Sequence, residues 1–129
     1  MDKEQALQTF WSQFGVKAYD QNTVPTLEEF SQMGVAPYPR ITYEVLTDNF
    51  GAQNALTASI WDKSPSWGST TTILHRIEQT LSMGGQTLPY DGGMLWVKRG
   101  QPFSRRGSDP DDSIRRIVLT VEVEYISEV

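Results

Sequence analysis

Arg40-Ile41-Thr42-Tyr43-Glu44-Val45-Leu46-Thr47 and Ala55-Leu56-Thr57-Ala58-Ser59-Ile60-Trp61, joined through Asp48-Asn49-Phe50-Gly51, decide the fold class. In the first run Ile41, Tyr43 and Val45 alternate with Thr42 and Glu44. In the second, Leu56, Ala58 and Ile60 alternate with Ala55, Thr57 and Ser59. A period of two, with one apolar and one wettable face, is the pattern of a half-buried antiparallel pair. The period then changes. Over Ser69–Leu81 the residues Ile73, Ile77, Thr80 and Leu81 share one helical stripe. A hairpin followed by a helix that covers its apolar face is the expected nucleus. Ser69 is placed to cap that helix, over about 69–82, and Gly84-Gly85 to end it.

Working outward, Leu7, Phe10, Trp11 and Phe14 form another stripe, predicting a helix over 2–14. Asp2 can cap it, with Gln5 placed for a capping box, and Gly15 stops it. Its aromatic face either docks on the sheet or serves as an interface to a neighbouring subunit. Val16–Tyr19 reads as a short strand. Asn22–Pro39 holds too many prolines for a sheet interior, although Thr26 and Glu29 can box one helical turn. Pro37-Tyr38-Pro39 forces an extended approach to Arg40. Further on, Gln86–Tyr90 is a short strand, Asp91-Gly92-Gly93 a turn, and Met94–Val97 a strand. Gly100–Asp112 lacks periodicity and reads as a long mobile loop or arm. The last strand points Ile117, Leu119, Val121, Val123 and Tyr125 one way and an acidic face the other. Trp96 and Leu119 are expected to be buried. The order predicts an α+β fold: an antiparallel sheet of four to five strands with both helices on one face. One domain over 1–129 is expected, with a mobile charged loop at about 99–113.

With 129 residues, 38% of them hydrophobic and 21% charged, the chain is long enough to bury a core. The net charge of −5 argues against a general affinity for nucleic acid or anionic lipid. No apolar run reaches the ~20 residues of a membrane helix, and residues 1–5 lack the layout of a signal peptide. Synthesis in a cytosol without export by its own signal is therefore expected. The absence of Cys excludes disulfides and thiolate chemistry, and a single His75 excludes a multi-His metal site within one chain.

Catalytic patterns are missing. His75 has no placeable Ser and Asp partners. Asp109, Asp111 and Asp112 resemble half of a calcium loop, without its Gly and distal Glu at the right spacing. Glu122 and Glu124 share a strand face, with nothing in the sequence to shift their pKa values. Neither Gly pair matches a phosphate cradle. No catalytic residue, metal or cofactor is expected, and the chain does not read as an enzyme.

Charge is unevenly spread. Lys98, Arg99, Arg105, Arg106, Arg115 and Arg116 are six of the eleven basic residues, and with three acids among them this segment is +3 while the rest is −8. The segment is either a solvated loop beside two strands or a patch that meets an acidic neighbour. Passing DNA is a second partner to weigh.

The layout resembles the tail-terminator and tail-completion family of long-tailed bacteriophages. The parts that carry the likeness are Phe10-Trp11 with Phe14, Thr23-Val24-Pro25, Pro37-Tyr38-Pro39-Arg40-Ile41-Thr42-Tyr43-Glu44, Leu56–Asp62 leading into the helix through His75, and a closing strand near Tyr125-Ile126. The likeness spans nearly the whole chain, on loose motifs. It implies an α+β virion subunit that forms a ring, usually a hexamer, on the last ring of tail-tube protein. Such a ring stops tube growth and offers a surface to the head-tail connector, with DNA passing through its lumen. Against that background Trp67, Phe103 and the six basic residues are candidate intermolecular contacts. A different neck role, head completion or adaptor, fits the same residues. A small-ligand-binding α+β domain is a further alternative, and would need a pocket with converging polar groups.

Overall fold

In the computed structural model residues 1–45 and 53–127 are described, so the expected turn at 48–51 lies outside them. The described elements are α1 (Lys3–Trp11, continued by a 3-10 turn, Ser12–Phe14), β1 (Lys17–Asp20), α2 (Leu27–Met33), β2 (Arg40–Tyr43), β3 (Gln53–Lys63), α3 (Gly68–Leu81), β4 (Gln86–Tyr90), β5 (Gly93–Gly107) and β6 (Ile114–Ser127).

Both predicted capping boxes form. The Asp2 side chain accepts from the Gln5 N–H while Gln5 caps back, and Thr26 and Glu29 do the same at α2. These bonds satisfy amides that have no partner within the helix. Gly15, at φ +84°, ends the first helical segment in a conformation that favours glycine. The expectation for Ser69 fails. α3 starts one residue earlier, with Trp67 at the cap position and no side-chain cap bond. Its first turn is held instead by the Thr70 hydroxyl donating to the Trp67 carbonyl and Thr72 to that of Gly68. Those bonds leave the first-turn amides untouched; of these the Gly68 N–H donates to the Ser66 hydroxyl at 3.4 Å.

The strands form one sheet of six, in the order β1-β2-β3-β6-β5-β4, rather than four or five. It is mixed: β1 runs parallel to β2, and every other pair is antiparallel. Residues 21–39, which include α2, provide the long connection that a parallel pair requires. α1 and α3 lie on one side, as expected. α2 is a third helix on the opposite side: Phe30 packs edge-on to Tyr19, which alternates away from buried Ala18.

The core lies between α1, α3 and the sheet. Leu7, Phe10, Trp11, Phe14, Ile73, Ile77 and Leu81 meet Ile41, Leu56, Ile60, Leu95, Val97 and the inward row of β6 from Ile117 to Tyr125. Phe10, Trp11 and Phe14 pack edge-to-face with one another. The interface-helix reading of α1 therefore does not hold: its aromatic face is spent on the core, at 0–3% exposure. Trp96 departs from expectation. It alternates onto the opposite side, partly exposed, with its indole N–H donating to the Gly84 carbonyl at 2.8 Å.

The largest correction concerns the arm. The segment expected to be a loop over 99–113 is strand as far as Gly107, and only residues 108–113 connect β5 to β6. Beyond Arg99, opposite Val121, pairing resumes at Ser104, opposite Leu119. Gly100 to Phe103 thus stand against Thr120 alone, a wide bulge that breaks the period of two. β6 supplies the backbone partners that the polar sequence gave no reason to expect.

Candidate surface of intermolecular contact

Strand alternation divides the basic segment between the two sides of the sheet. Arg99 and Arg106 pair with the inward residues Val121 and Ile117 and so lie on the helical side, as does Arg115 opposite Asp62. Lys98, Arg105 and Arg116 lie on the other side, opposite Glu122, Val118 and Trp61. A single patch of six cations does not exist.

On the helical side Arg106 and Arg115 gather at the start of α3, while Arg99 lies near its last turn. The Arg106 guanidinium lies 4.3 Å from the Trp67 ring centre and that of Arg115 5.6 Å. Arg115 also donates to the carbonyls of Asp112 (2.6 Å) and Pro65 (3.1 Å). Its Nε is buried with no hydrogen-bond partner. Trp67 is partly buried against the core rather than a free surface aromatic, and so is Phe103. Arg99 lies over Phe103 at 5.5 Å and donates to the Glu78 carbonyl. These side chains are held in place, which lowers the entropy lost when they meet a partner.

A depression of about 330 Å³ beside Trp67 is lined by Gly107, Ser108, the three aspartates, Ile114 and Arg115. Asp111 accepts from the Ser113 hydroxyl (2.7 Å) and N–H (2.9 Å), and these bonds hold its carboxyl below the usual range. Its N–H in turn donates to Asp109. The aspartates build a turn with their own backbone. Among the described residues no group of three or more His, Cys, Asp or Glu could hold a metal.

On the opposite side Trp61 stands between two cations, with Arg116 at 4.5 Å and Arg40 at 6.0 Å from its ring. Arg40 also covers Tyr38 (4.7 Å) and Phe30 (5.7 Å). The Arg116 Nε donates to the Ser59 hydroxyl and the Trp61 N–H to the Thr42 hydroxyl. Ser59 and Thr42, expected to be wet, are accordingly buried. Lys98 folds over Trp96 at 4.1 Å. Arg105 is exposed, and among the described residues it has no hydrogen bond or ion pair. Arg40 and Trp61 escaped the sequence reading. The alternation that turns Ile41 and Ile60 inward also turns these two outward, and it was the available signal.

A cavity of about 730 Å³ lies between α1 and β2 and is lined by Met1, Glu4, Gln8, Asp20, Tyr43 and Val45 among others. Tyr43 donates its hydroxyl to Gln8. Burial, then the nearby Asp20 and Glu4 carboxylates, pushes its pKa up to about 12.

No protein-family model matches the chain, and no curated protein matches it. Its fold is similar to a chain of a solved structure described as "Virion of native gene transfer agent (GTA) particle". The two share 15% identity and a TM-score of 0.52, over 95% of this chain and 96% of that one. At that identity the likeness is one of fold.

Proposed function

We propose that this chain is a structural virion protein that caps a phage tail tube and, as a ring, forms part of the head-tail junction. The observation that carries this reading is the fold likeness to a chain of a virion, which leaves almost no residue of either chain outside it. The tail-terminator resemblance agrees with it. So does a helical-side surface on which an exposed Arg106 lies with Arg115 over a rigid Trp67, with Arg105 exposed on the other side of the same strand. On this reading the protein works by contact and is not an enzyme. Its partners are other copies, in a hexameric ring, together with the tail-tube protein and the connector, and DNA passes through the lumen without sequence-specific contact. It is made in the host cytoplasm and ends in the virion.

The test is to image particles assembled without this protein. A terminator leaves tubes of uncontrolled length when absent. Tubes of normal length that fail to join heads would instead assign it another neck position. The ligand-binding alternative rests on the cavity beside Tyr43. A monomeric solution mass together with a small molecule retained through purification would favour it.

A further inference from the structure

Three elements converge on the cavity between α1 and β2. Glu4, Gln8 and Thr9 come from α1, Asp20 from the end of β1 and Tyr43 from the end of β2. The register sets Asp20 beside Tyr43, and the Asp20 and Glu4 carboxylates both act on the Tyr43 hydroxyl. Met1 and Val45 add apolar surface to the wall.

The donors facing this space are largely committed within the chain. The Tyr43 O–H donates to Gln8. The Gln8 amide donates to the Ser12 hydroxyl and the Ala18 carbonyl, each at 3.0 Å. The Thr9 hydroxyl donates to the Gln5 carbonyl at 2.8 Å. The side-chain amide of Gln5, whose oxygen accepts from the Asp2 N–H, is the exception. Acceptors are left in excess. The Tyr43 oxygen keeps a lone pair. The Asp20 side chain takes one hydrogen bond, from the Asn22 N–H at 2.9 Å, and among the described residues Glu4 takes none. Neither carboxylate forms an ion pair there. Nearby cations are engaged elsewhere: the Met1 ammonium with Asp91 at 3.0 Å, and Lys3 over the Tyr125 ring at 5.1 Å.

We propose that this cavity binds an organic cation, a guanidinium or ammonium group on a short apolar stem, between Glu4 and Asp20. The carboxylates supply charge-assisted hydrogen bonds, the Tyr43 oxygen a further acceptor, and Met1 and Val45 a surface for the stem. At about 730 Å³ the space has the size of a small-molecule site. A metal ion is the less suited ligand, since among the described residues no group of three or more His, Cys, Asp or Glu could hold one. The site is complete within one chain, so the proposal does not rest on the ring.

Calorimetric titration of the full chain with argininamide and with 1,4-diaminobutane tests the site, at about 0.05 M salt so that screening is weak. The expected result is saturable binding, one cation per chain, at about millimolar concentration or tighter. Citrullinamide, which keeps the stem but ends in a neutral urea, should bind at least tenfold more weakly. Glu4→Gln with Asp20→Asn preserves shape and the acceptor for the Asn22 N–H. It should weaken both cations at least tenfold and leave citrullinamide unchanged. Glu4→Gln alone, at an exposed side chain without partners, should weaken them severalfold even if the Asp20 change disturbs the fold. Sedimentation then separates the sources. If a second copy supplies the cation, the wild type self-associates, and argininamide or the double change disperses it. If a separate molecule supplies it, neither alters the mass. The proposal is overturned if neither cation binds, if citrullinamide binds as tightly, or if the folded double variant binds the cations as the wild type does.

Discussion

Tyr43 joins α1 to the sheet. It is 3% exposed, stacks on Trp11 and donates to Gln8. With its pKa near 12 against 10.0 in an unfolded chain, the protonated form is favoured by folding. The associated stability is complete below pH 10 and is lost as pH rises from 10 towards 12, because the unfolded chain ionises first. A shift of this size corresponds to on the order of 2 kcal/mol. Tyr125 is raised too, by burial first and then by Tyr90 and Glu4, and steepens the same alkaline limb. Tyr43→Phe should flatten that limb in urea melts taken between pH 9 and about 11.5, at a cost of about 1 kcal/mol at neutral pH for the lost hydrogen bond. An unchanged alkaline slope would remove Tyr43 from the account. Leu119, at 0% exposure in the middle of the inward row of β6, is a plain packing residue. Leu119→Ala should cost about 2–5 kcal/mol, seen as a lower urea midpoint.

Among the elements, β5 depends most on its neighbour. A Cβ on Gly100 would lie 2.7 Å from both the carbonyl oxygen and the Cγ2 of Thr120, so the bulge closes on β6 only where there is no side chain. Gly100→Ala should destabilise by roughly 1–3 kcal/mol, the usual cost of overpacking, and should speed hydrogen exchange in residues 101–107 before the rest of the sheet. Equal protection across β5 after this change would contradict that role for the bulge. The same bulge explains what could be read from the chain alone. β6 was legible because its inward and outward residues alternate without interruption from Ile117 to Tyr125. α1 was legible because stripe, capping box and stop signal agree. The outer half of β5 was not, since four residues oppose one and the rest carry arginines whose strand state comes from pairing with β6. The parallel β1–β2 pair was hidden for a similar reason. A four-residue strand shows too few alternations to reveal its partner, and direction is set by the long connection through α2. Without the register, the basic residues looked like one patch along the chain. The pleat places half of them on each side.

At the scale of the whole molecule, the proposed role depends on what the charged rim does to neighbours rather than to this chain. Arg106 contacts the Trp67 ring from an exposed position and Arg105 has no partner among the described residues. Neither is part of the core. Replacing both with Glu should therefore leave the thermal midpoint within a few degrees, in keeping with the small effects of surface changes. In an assembling particle the same double change should reduce incorporation of the protein, because two attractive charges become repulsive where the neighbour is acidic. The defect should depend on ionic strength, easing as salt screens the repulsion. Trp67→Ala should act differently. It removes the platform under Arg106 and Arg115 and loses packing against α3, so the thermal midpoint and incorporation should fall together, with no rescue by salt. Quantifying incorporated protein across a salt series, beside melting curves of the purified variants, separates the two effects. Normal incorporation of the Arg105→Glu, Arg106→Glu chain at physiological salt would show that neither side of this rim meets an acidic partner in the particle, and would move the search for the assembly contact away from the outer end of β5.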